Sequence, residues 1–87
     1  MSQKRVVLIT GGGSGIGRAT AKKFSAAGEY VVIADINESG GCAVVDEIKS
    51  TNGDAEYVSV DVANDQSVLA MANEVNERHG QIDVLVN

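Results

Sequence analysis

Apolar residues along this chain follow two spacings, and the two alternate from one end of the chain to the other. Four short runs are continuously apolar and rich in β-branched residues, which predicts buried strands. These runs cover residues 5–10, 30–35, 55–60 and 82–86. Between the runs, apolar residues recur every three or four positions, which predicts amphipathic helices.

The three predicted helices have recognisable ends. They cover approximately residues 16–27, 38–52 and 65–79, and a glycine follows each of them, at Gly28, Gly53 and Gly80. Glycine is favoured just after a helix because it adopts the left-handed conformation without steric penalty. Asn64 precedes the third helix and is a predicted N-cap.

The resulting order of elements is β-α-β-α-β-α-β. Strands that alternate with helices of this length form a parallel sheet with right-handed crossovers. Because the strands are apolar throughout, both faces of the sheet should be covered, which predicts an α/β fold with three layers. We expect helices one and two on one face and helix three on the other, with strand four as an apolar edge.

Composition narrows the class of protein. The 87 residues suffice for one domain, and 44% hydrophobic with 22% charged residues is typical of a globular protein. A net charge of -5 without a basic patch argues against nucleic acid as a partner. No apolar run has the length of a membrane span, and the single Cys42 cannot form an internal disulfide. We therefore expect a cytoplasmic protein without a membrane partner.

The segment LITGGGSGIGRAT, residues 8–20, places five glycines between the first strand and the first helix. A helix N-terminus attracts phosphate, and glycines let the backbone approach it, so this loop is predicted to bind phosphate. A P-loop is rejected because Arg18 and Ala19 occupy the positions of its lysine and its hydroxyl residue. The pattern G-x-G-x-x-G also fails, because its last glycine would fall on Arg18 or on Ile16.

The loop does fit the pattern T-G-x-x-x-G-x-G, with Thr10, Gly11, Gly15 and Gly17 at its fixed positions. In this motif and in its order of elements, the chain resembles the short-chain dehydrogenase/reductase family. The resemblance implies a Rossmann-type fold with strand order 3-2-1-4 and a dinucleotide cofactor. It also implies that Gly11 and Gly15 permit the turn and the approach of the pyrophosphate, and that Gly17 lets the first helix lie close to the first strand.

Asp35 ends the second strand, 20 residues after Gly15. A carboxylate at this position accepts hydrogen bonds from the adenosine ribose and repels a 2′-phosphate, which favours NAD over NADP. Ile36 and Ser14 stand where NADP-preferring relatives of the resembled family place basic residues. The resemblance further implies that the backbone from Ser14 to Ile16 faces the phosphates and ribose. A helix or turn cap is the alternative role for Asp35.

Two further cofactor contacts are expected after strands three and four. Asp61 and Val62 directly follow the third strand, where ligands bind in open parallel sheets. In the resembled family an Asp-Val pair here meets adenine through the carboxylate and the valine N–H, whereas a solvated turn acid is the alternative. Asn87 matches the first residue of the family's N-N-A-G motif, which touches the cofactor's ribose.

The catalytic residues of the resembled family have no counterpart in this sequence. The family uses a Tyr-x-x-x-Lys pair, but Ala34 lies four positions after Tyr30, and Asp61 lies four positions after Tyr57. We therefore predict no catalytic and no metal-binding residue here. We expect residues 1–87 to form the N-terminal cofactor-binding part of a longer single-domain enzyme, truncated after strand four and inactive alone.

For the whole protein, the resemblance implies an NAD(H)-dependent oxidoreductase that interconverts an alcohol and a carbonyl by hydride transfer. It also implies a small-molecule substrate and a homo-oligomer. The alternative is a non-catalytic nucleotide-binding or redox-sensing module of the same fold. The sequence that continues beyond Asn87 would distinguish the two, because the enzyme requires the Tyr-x-x-x-Lys pair.

Overall fold

The computed structural model describes residues 4–86 and shows the predicted alternation of strands and helices. The strands are β1 (Val6–Thr10), β2 (Tyr30–Asp35), β3 (Asp54–Ser59) and β4 (Val84–Val86). The helices are α1 (Gly15–Ala26), α2 (Glu38–Ser50) and α3 (Asp65–His79). All strand pairs are parallel and the order is β3-β2-β1-β4, which confirms the predicted α/β fold and its strand order.

The sheet lies between two hydrophobic clusters, as expected for three layers. The cluster under α1 and α2 contains Val7, Ile9, Ala21, Val31, Ile33, Val44, Val45, Ile48 and Ala55. The cluster under α3 contains Val6, Leu8, Val32, Ala34, Val58, Val60, Met71 and Val75. Successive residues of β1 and β2 point to opposite clusters, so the continuous apolar sequence of these strands reflects burial on both faces.

Two of the three predicted glycine ends are confirmed, whereas α2 ends at Ser50, and Asn52, with a φ angle of 66°, takes the left-handed conformation expected of Gly53. Gly28 and Gly80 follow α1 and α3 with φ angles of 90° and 74°, in the left-handed region that favours glycine. The side chain of Asn64 accepts hydrogen bonds from the N–H groups of Gln66 and Ser67, so it is the N-cap of α3. Within residues 4–86, no helix combines the length and the apolar character that a membrane span requires.

The clearest difference from the predicted boundaries is at β4, which begins at Val84 instead of residue 82. The reason is Asp83, whose carboxylate Oδ2 accepts a hydrogen bond from Val6 N–H at 2.7 Å. The N–H of Asp83 donates in turn to the carbonyl of Val6 at 2.9 Å. A side chain thus replaces one backbone acceptor beside β1, and the regular strand pairing starts one residue later.

Candidate functional site

Part of the predicted site comes together at the carboxyl end of the sheet, whereas Ser14, Gly15, Ile16 and Gly17, at the start of α1, line neither the crevice there nor its neighbouring cavity. The loops after β1, β2 and β3 surround a crevice of about 100 Å³, lined by Gly11, Ala34, Asp35, Ile36, Val60, Asp61 and Val62. Five of these residues are ones that the sequence singled out, and they come from three separate loops. Asn87, the contact expected after β4, lies outside the described residues.

The glycine loop requires glycine for two different physical reasons. Gly11 and Gly15 have φ angles of 71° and 58°, which side-chain-bearing residues rarely adopt. Gly17 is required by packing, because a Cβ atom at this position would overlap the carbonyl oxygen of Gly11. The Gly11 N–H donates to the carbonyl of Ala34 at 2.8 Å, which ties the start of the loop to β2.

The first turn of α1 has hydrogen-bond donors that the helix itself does not use. Ser14 is the N-cap residue, but its side chain makes no capping hydrogen bond. The first bond of the helix runs from Arg18 N–H to the Ser14 carbonyl, so the N–H groups of Gly15, Ile16 and Gly17 precede the helical ladder. These donors lie at the positive end of the helix dipole and suit an anionic ligand.

The other two helices begin differently. Asn37 caps α2 by accepting a bond from the Gly40 N–H, and Asn64 caps α3. Each of these helices also carries an acid in its first turn, Glu38 in α2 and Asp65 in α3, whereas α1 has none. The start of α1 is therefore the one helix N-terminus in residues 4–86 that lacks both a side-chain cap and an acid.

Asp35 is held in place by two backbone N–H groups. Its Oδ2 accepts from Gly13 at 3.0 Å, and its Oδ1 accepts from Asn37 at 3.0 Å. The bond to Asn37 is the local turn-capping role that the sequence left open, and the bond to Gly13 joins the carboxylate to the glycine loop. Each carboxylate oxygen keeps further acceptor capacity for a hydroxyl donor.

Tyr57, Gly13 and Gly41 belong to this site, although the sequence did not single them out for it. The Tyr57 hydroxyl donates to the backbone carbonyl of Asp35 at 2.6 Å. A Cβ at Gly13 would lie 2.8 Å from Asp35 Oδ2, and one at Gly41 would overlap the Tyr57 ring. Glycine within a helix costs about 1 kcal/mol relative to alanine, so the pair Gly40-Gly41 in α2 was a signal of close packing.

Asp61 shows both a turn role and a place in the crevice. Its Oδ1 accepts from the Ala63 N–H at 3.0 Å, and its own N–H donates to Ser67 Oγ at 2.9 Å. These bonds fit the solvated turn acid that was the alternative interpretation. Because the exposed side chain also lines the crevice beside Val62, the contact with adenine stays a prediction.

Exposed apolar side chains are concentrated at the same end of the sheet. Ile36 and Val62 are 68% and 65% exposed and lie on the loops after β2 and β3, and Ile16, in the first turn of α1, is 87% exposed. A second cavity of about 480 Å³ adjoins the crevice on the α3 side and shares Val62 with it. Several exposed apolar groups around one crevice are characteristic of a binding surface.

Arg18 follows the glycine loop directly, but its side chain is bound to α2. Its guanidinium donates two hydrogen bonds to the Glu47 carboxylate, at 2.9 and 2.6 Å. The hydrogen bond from Arg18 lowers the pKa of Glu47, and the same contact raises the pKa of Arg18. This ion pair links α1 to α2. Arg18 is the basic residue nearest to the glycine loop in sequence, and its guanidinium is bound to Glu47.

The amino end of the sheet has another character. A cavity of about 410 Å³ lies there between the last turns of α1 and α2, where the helix dipoles place negative partial charge and where Lys4, Lys22 and Glu47 contribute charged side chains to the lining. Glu56 accepts from Tyr30 Oη at 3.1 Å and contacts His79 Nε2 at 2.6 Å, and it also binds Arg78. His79, in the last turn of α3, thus has a carboxylate partner.

Burial and the carboxylate of Glu56 raise the pKa of the Tyr30 hydroxyl to about 12. Its ring also contacts the His79 ring, with 4.7 Å between the ring centroids. Tyr30 and His79 therefore belong to a structural cluster at the edge opposite the crevice, and neither lines the crevice.

Comparisons with known proteins bear on this geometry. A family model for short chain dehydrogenases matches residues 5–87. A 3beta-hydroxysteroid dehydrogenase of Mediterraneibacter gnavus is 39% identical to this chain over 84 residues, which cover 97% of this chain and 30% of that protein. The chain spans about a third of the length of the curated relatives it matches.

Two solved structures are similar in both fold and sequence. A metagenomic short-chain oxidoreductase in complex with NADP has a TM-score of 0.90 and 34% identity, over 93% of this chain and 37% of that chain. A short-chain dehydrogenase/reductase from Burkholderia phymatum in complex with NAD has a TM-score of 0.89 and 35% identity, over 94% of this chain and 29% of that chain. Motif, fold and family model agree, and the chain belongs to the short-chain dehydrogenase family.

Proposed function

We propose that this chain binds the adenosine diphosphate part of a nicotinamide dinucleotide and prefers NAD to NADP. Family membership supports a nicotinamide dinucleotide, since one similar structure holds NADP and another holds NAD. The preference for NAD depends on one observation, the environment of Asp35. Its carboxylate faces the glycine loop, and within residues 4–86 its hydrogen-bond partners are backbone N–H groups and not cations.

The pyrophosphate would bind at the start of α1. Gly15, Ile16 and Gly17 supply N–H donors that the helix does not use, and the exposed Ser14 precedes them. Gly15 also lacks a neighbouring atom within 4 Å of a Cβ position, so the backbone is open to a ligand on that side. Donors, dipole and open approach together fit a phosphate group.

Asp35 would accept hydrogen bonds from the 2′- and 3′-hydroxyls of the adenosine ribose. A phosphate on the 2′-oxygen replaces a hydroxyl donor with negative charge beside a carboxylate. Two like unit charges 4 Å apart repel by about 4 kcal/mol at an effective dielectric constant of about 20. With no basic side chain on Asp35 to offset this repulsion in the described residues, NADP should bind more weakly than NAD.

The base would lie over the loops after β2 and β3. Ile36 and Val62 offer exposed apolar surface on either side of the crevice, and Asp61 offers a carboxylate to the exocyclic amine of adenine. Asn87 would contribute a contact to a ribose of the cofactor, as its family motif implies.

For the whole protein we propose NAD(H)-dependent interconversion of an alcohol and a carbonyl in the cytoplasm. When bound, the nicotinamide ring supplies or accepts the hydride. Residues 1–87 bind and orient the cofactor, and they form one part of a longer single-domain enzyme. The supporting observation is that this chain corresponds to about a third of each dehydrogenase relative it matches.

Titration calorimetry of the 87-residue chain with NAD and with NADP tests the cofactor proposal. NAD should bind more tightly, and Asp35→Ala should weaken NAD binding about tenfold, because a charge-assisted hydrogen-bond acceptor is lost. The same change should not weaken NADP binding, since it removes the repulsion. Asp46→Ala is the matched control, because it removes an exposed carboxylate of α2 away from the crevice. Tighter binding of NADP by the unchanged chain would contradict the proposal.

A further inference from the structure

We propose that Tyr57 is a positioning residue that fixes the Asp35 carboxylate and thereby sets the discrimination between NAD and NADP. The inference rests on the proposed role of Asp35 in the cofactor site. Tyr57 lies on β3, next to β2, and lines neither the crevice nor its neighbouring cavity. Its effect on the cofactor would therefore act through Asp35.

The hydroxyl of Tyr57 provides the first contact with Asp35. It donates to the Asp35 carbonyl at 2.6 Å, whereas the N–H of Val60 reaches the same carbonyl at 3.3 Å. Asp35 is the last residue of β2, where the chain leaves the sheet. The shorter of these two bonds thus comes from a side chain, and it holds the backbone from which the carboxylate projects.

The ring of Tyr57 provides a second, indirect contact with the carboxylate. The ring packs so closely against Gly41 in the first turn of α2 that a Cβ at Gly41 would overlap it. Gly13 packs against the same turn, because a Cβ at Gly13 would be 3.0 Å from Gly41 N and 2.8 Å from Asp35 Oδ2. The Gly13 N–H donates to that same oxygen. Tyr57 and Gly13 thus both pack against Gly41 in one turn of α2, and each also makes a hydrogen bond to Asp35.

This arrangement has a specific consequence for selectivity. A carboxylate that is fixed at both its backbone and its oxygens cannot move away from a 2′-phosphate, so the repulsion is retained. Without the Tyr57 hydroxyl, Asp35 gains freedom and can retreat from the phosphate. The ratio of NADP to NAD dissociation constants should then fall. A purely structural role for Tyr57 would reduce the folded fraction, weaken both cofactors equally and leave the ratio unchanged.

Tyr57→Phe tests the inference because it keeps the ring and removes the hydroxyl. We expect NAD binding to weaken about threefold to tenfold, as for the loss of one neutral hydrogen bond, with a smaller effect on NADP. Tyr30→Phe is the matched control, since its hydroxyl bonds Glu56 at the opposite edge of the sheet, and it should leave the ratio unchanged. In an Asp35→Ala background, Tyr57→Phe should no longer change the ratio.

A second measurement needs no ligand. Hydrogen exchange of the Gly13 amide in the free chain should be faster in Tyr57→Phe than in Tyr30→Phe, because the acceptor Asp35 Oδ2 becomes less fixed. An unchanged cofactor ratio or unchanged Gly13 exchange would overturn the role of Tyr57 and leave that of Asp35 intact. Failure of the unchanged chain to bind NAD would overturn the proposed function instead, while Gly13 exchange would still test the contact.

Discussion

The two ends of the sheet differ in how they hold their acidic residues. At the amino end, Asp83 accepts a hydrogen bond from the backbone N–H of Val6, but three other carboxylates bind basic side chains: Glu29 binds Arg5, Asp54 binds Lys4, and Glu56 binds Arg78 and His79. At the carboxyl end, Asp35 and Asp61 accept hydrogen bonds from backbone N–H groups instead. Pairing with a basic group offsets the charge of a carboxylate, whereas backbone donors orient it and leave its charge in place.

We call the amino end of the sheet the structural edge and its carboxyl end the binding edge, because we expect the acidic residues of the two ends to serve these different roles. The carboxylates at the amino end should contribute to the free energy of unfolding, with Glu56 foremost because its mostly buried side chain has three partners, Tyr30, Arg78 and His79. Exposed ion pairs such as Lys4 with Asp54 contribute at most about 1 kcal/mol. The carboxylates at the carboxyl end should contribute mainly to ligand binding. Substitutions of acidic residues at the structural edge should therefore lower stability without changing the preference between NAD and NADP. Substitutions of acidic residues at the binding edge should change that preference with little effect on stability.

The largest effect on stability is expected at Glu56. Glu56→Ala removes the shared partner of Tyr30, Arg78 and His79, and should lower the free energy of unfolding by about 2–3 kcal/mol, since charged hydrogen bonds of a mostly buried group are lost. Urea unfolding measures this loss. The cofactor ratio of the remaining folded chain should be unchanged.

Glu74→Ala is the control for this change, because Glu74 pairs with the same Arg78 on the exposed surface of α3. A helix pair of this kind contributes about 0.3–0.5 kcal/mol. Equal losses of unfolding free energy in Glu56→Ala and Glu74→Ala would contradict the distinction between the two edges. A changed ratio of NADP to NAD dissociation constants in Glu56→Ala would contradict it as well.

Substitution of a glycine that has a positive φ angle should cause an intermediate loss of stability at either edge. Gly15 at the binding edge and Gly28 at the structural edge have φ angles of 58° and 90°, and neither has an atom within 4 Å of a Cβ position. Gly15→Val and Gly28→Val should each cost about 1–2 kcal/mol of stability through backbone strain. Calorimetry should show loss of NAD binding for Gly15→Val alone. Normal binding by that variant would mean that the glycine loop is not the phosphate site.

The smallest effect concerns pH at the structural edge. Folding favours the protonated Tyr30 phenol, because burial and Glu56 raise its pKa from 10.0 to about 12. Its contribution to stability is complete below the unfolded pKa and is lost as pH rises through the folded value. The stability advantage of the unchanged chain over Tyr30→Phe should therefore shrink between pH 10 and about 12. A constant advantage across that range in urea unfolding would contradict this assignment.

Most of the fold could be predicted because its signals are local. Continuous β-branched runs indicate strands with both faces covered, and terminal glycines and Asn64 indicate helix ends. The start of β4 was not predictable in this way, since regular pairing begins only after Asp83, whose side chain accepts the Val6 N–H, and that contact depends on the folded sheet. Boundaries that depend on a distant partner leave no periodic trace in the sequence.

The residues of the candidate site likewise fall into those with local signals in the sequence and those that depend on distant contacts. Gly11, Gly15 and Asp35 could be predicted because loop conformation and strand ends follow from sequence order. Tyr57 could not, because its contact with Asp35 spans 22 residues and depends on which face of β3 it occupies. Gly13 could not be predicted for a related reason. Its lack of a side chain is required only because the first turn of α2 packs against it in the folded structure.

The paired bonds between Val6 and Asp83 have a consequence for chain length. They join residues 77 apart in sequence, whereas the contact of Arg5 with Glu29 at the same edge joins residues 24 apart. Loop-closure entropy grows only with the logarithm of length, so the longer closure costs about 1 kcal/mol more than the shorter one. Insertions in the loops between β1 and β4 would add still less. The loops of the binding edge can therefore lengthen and diversify while β1 and β4 remain joined at the opposite edge.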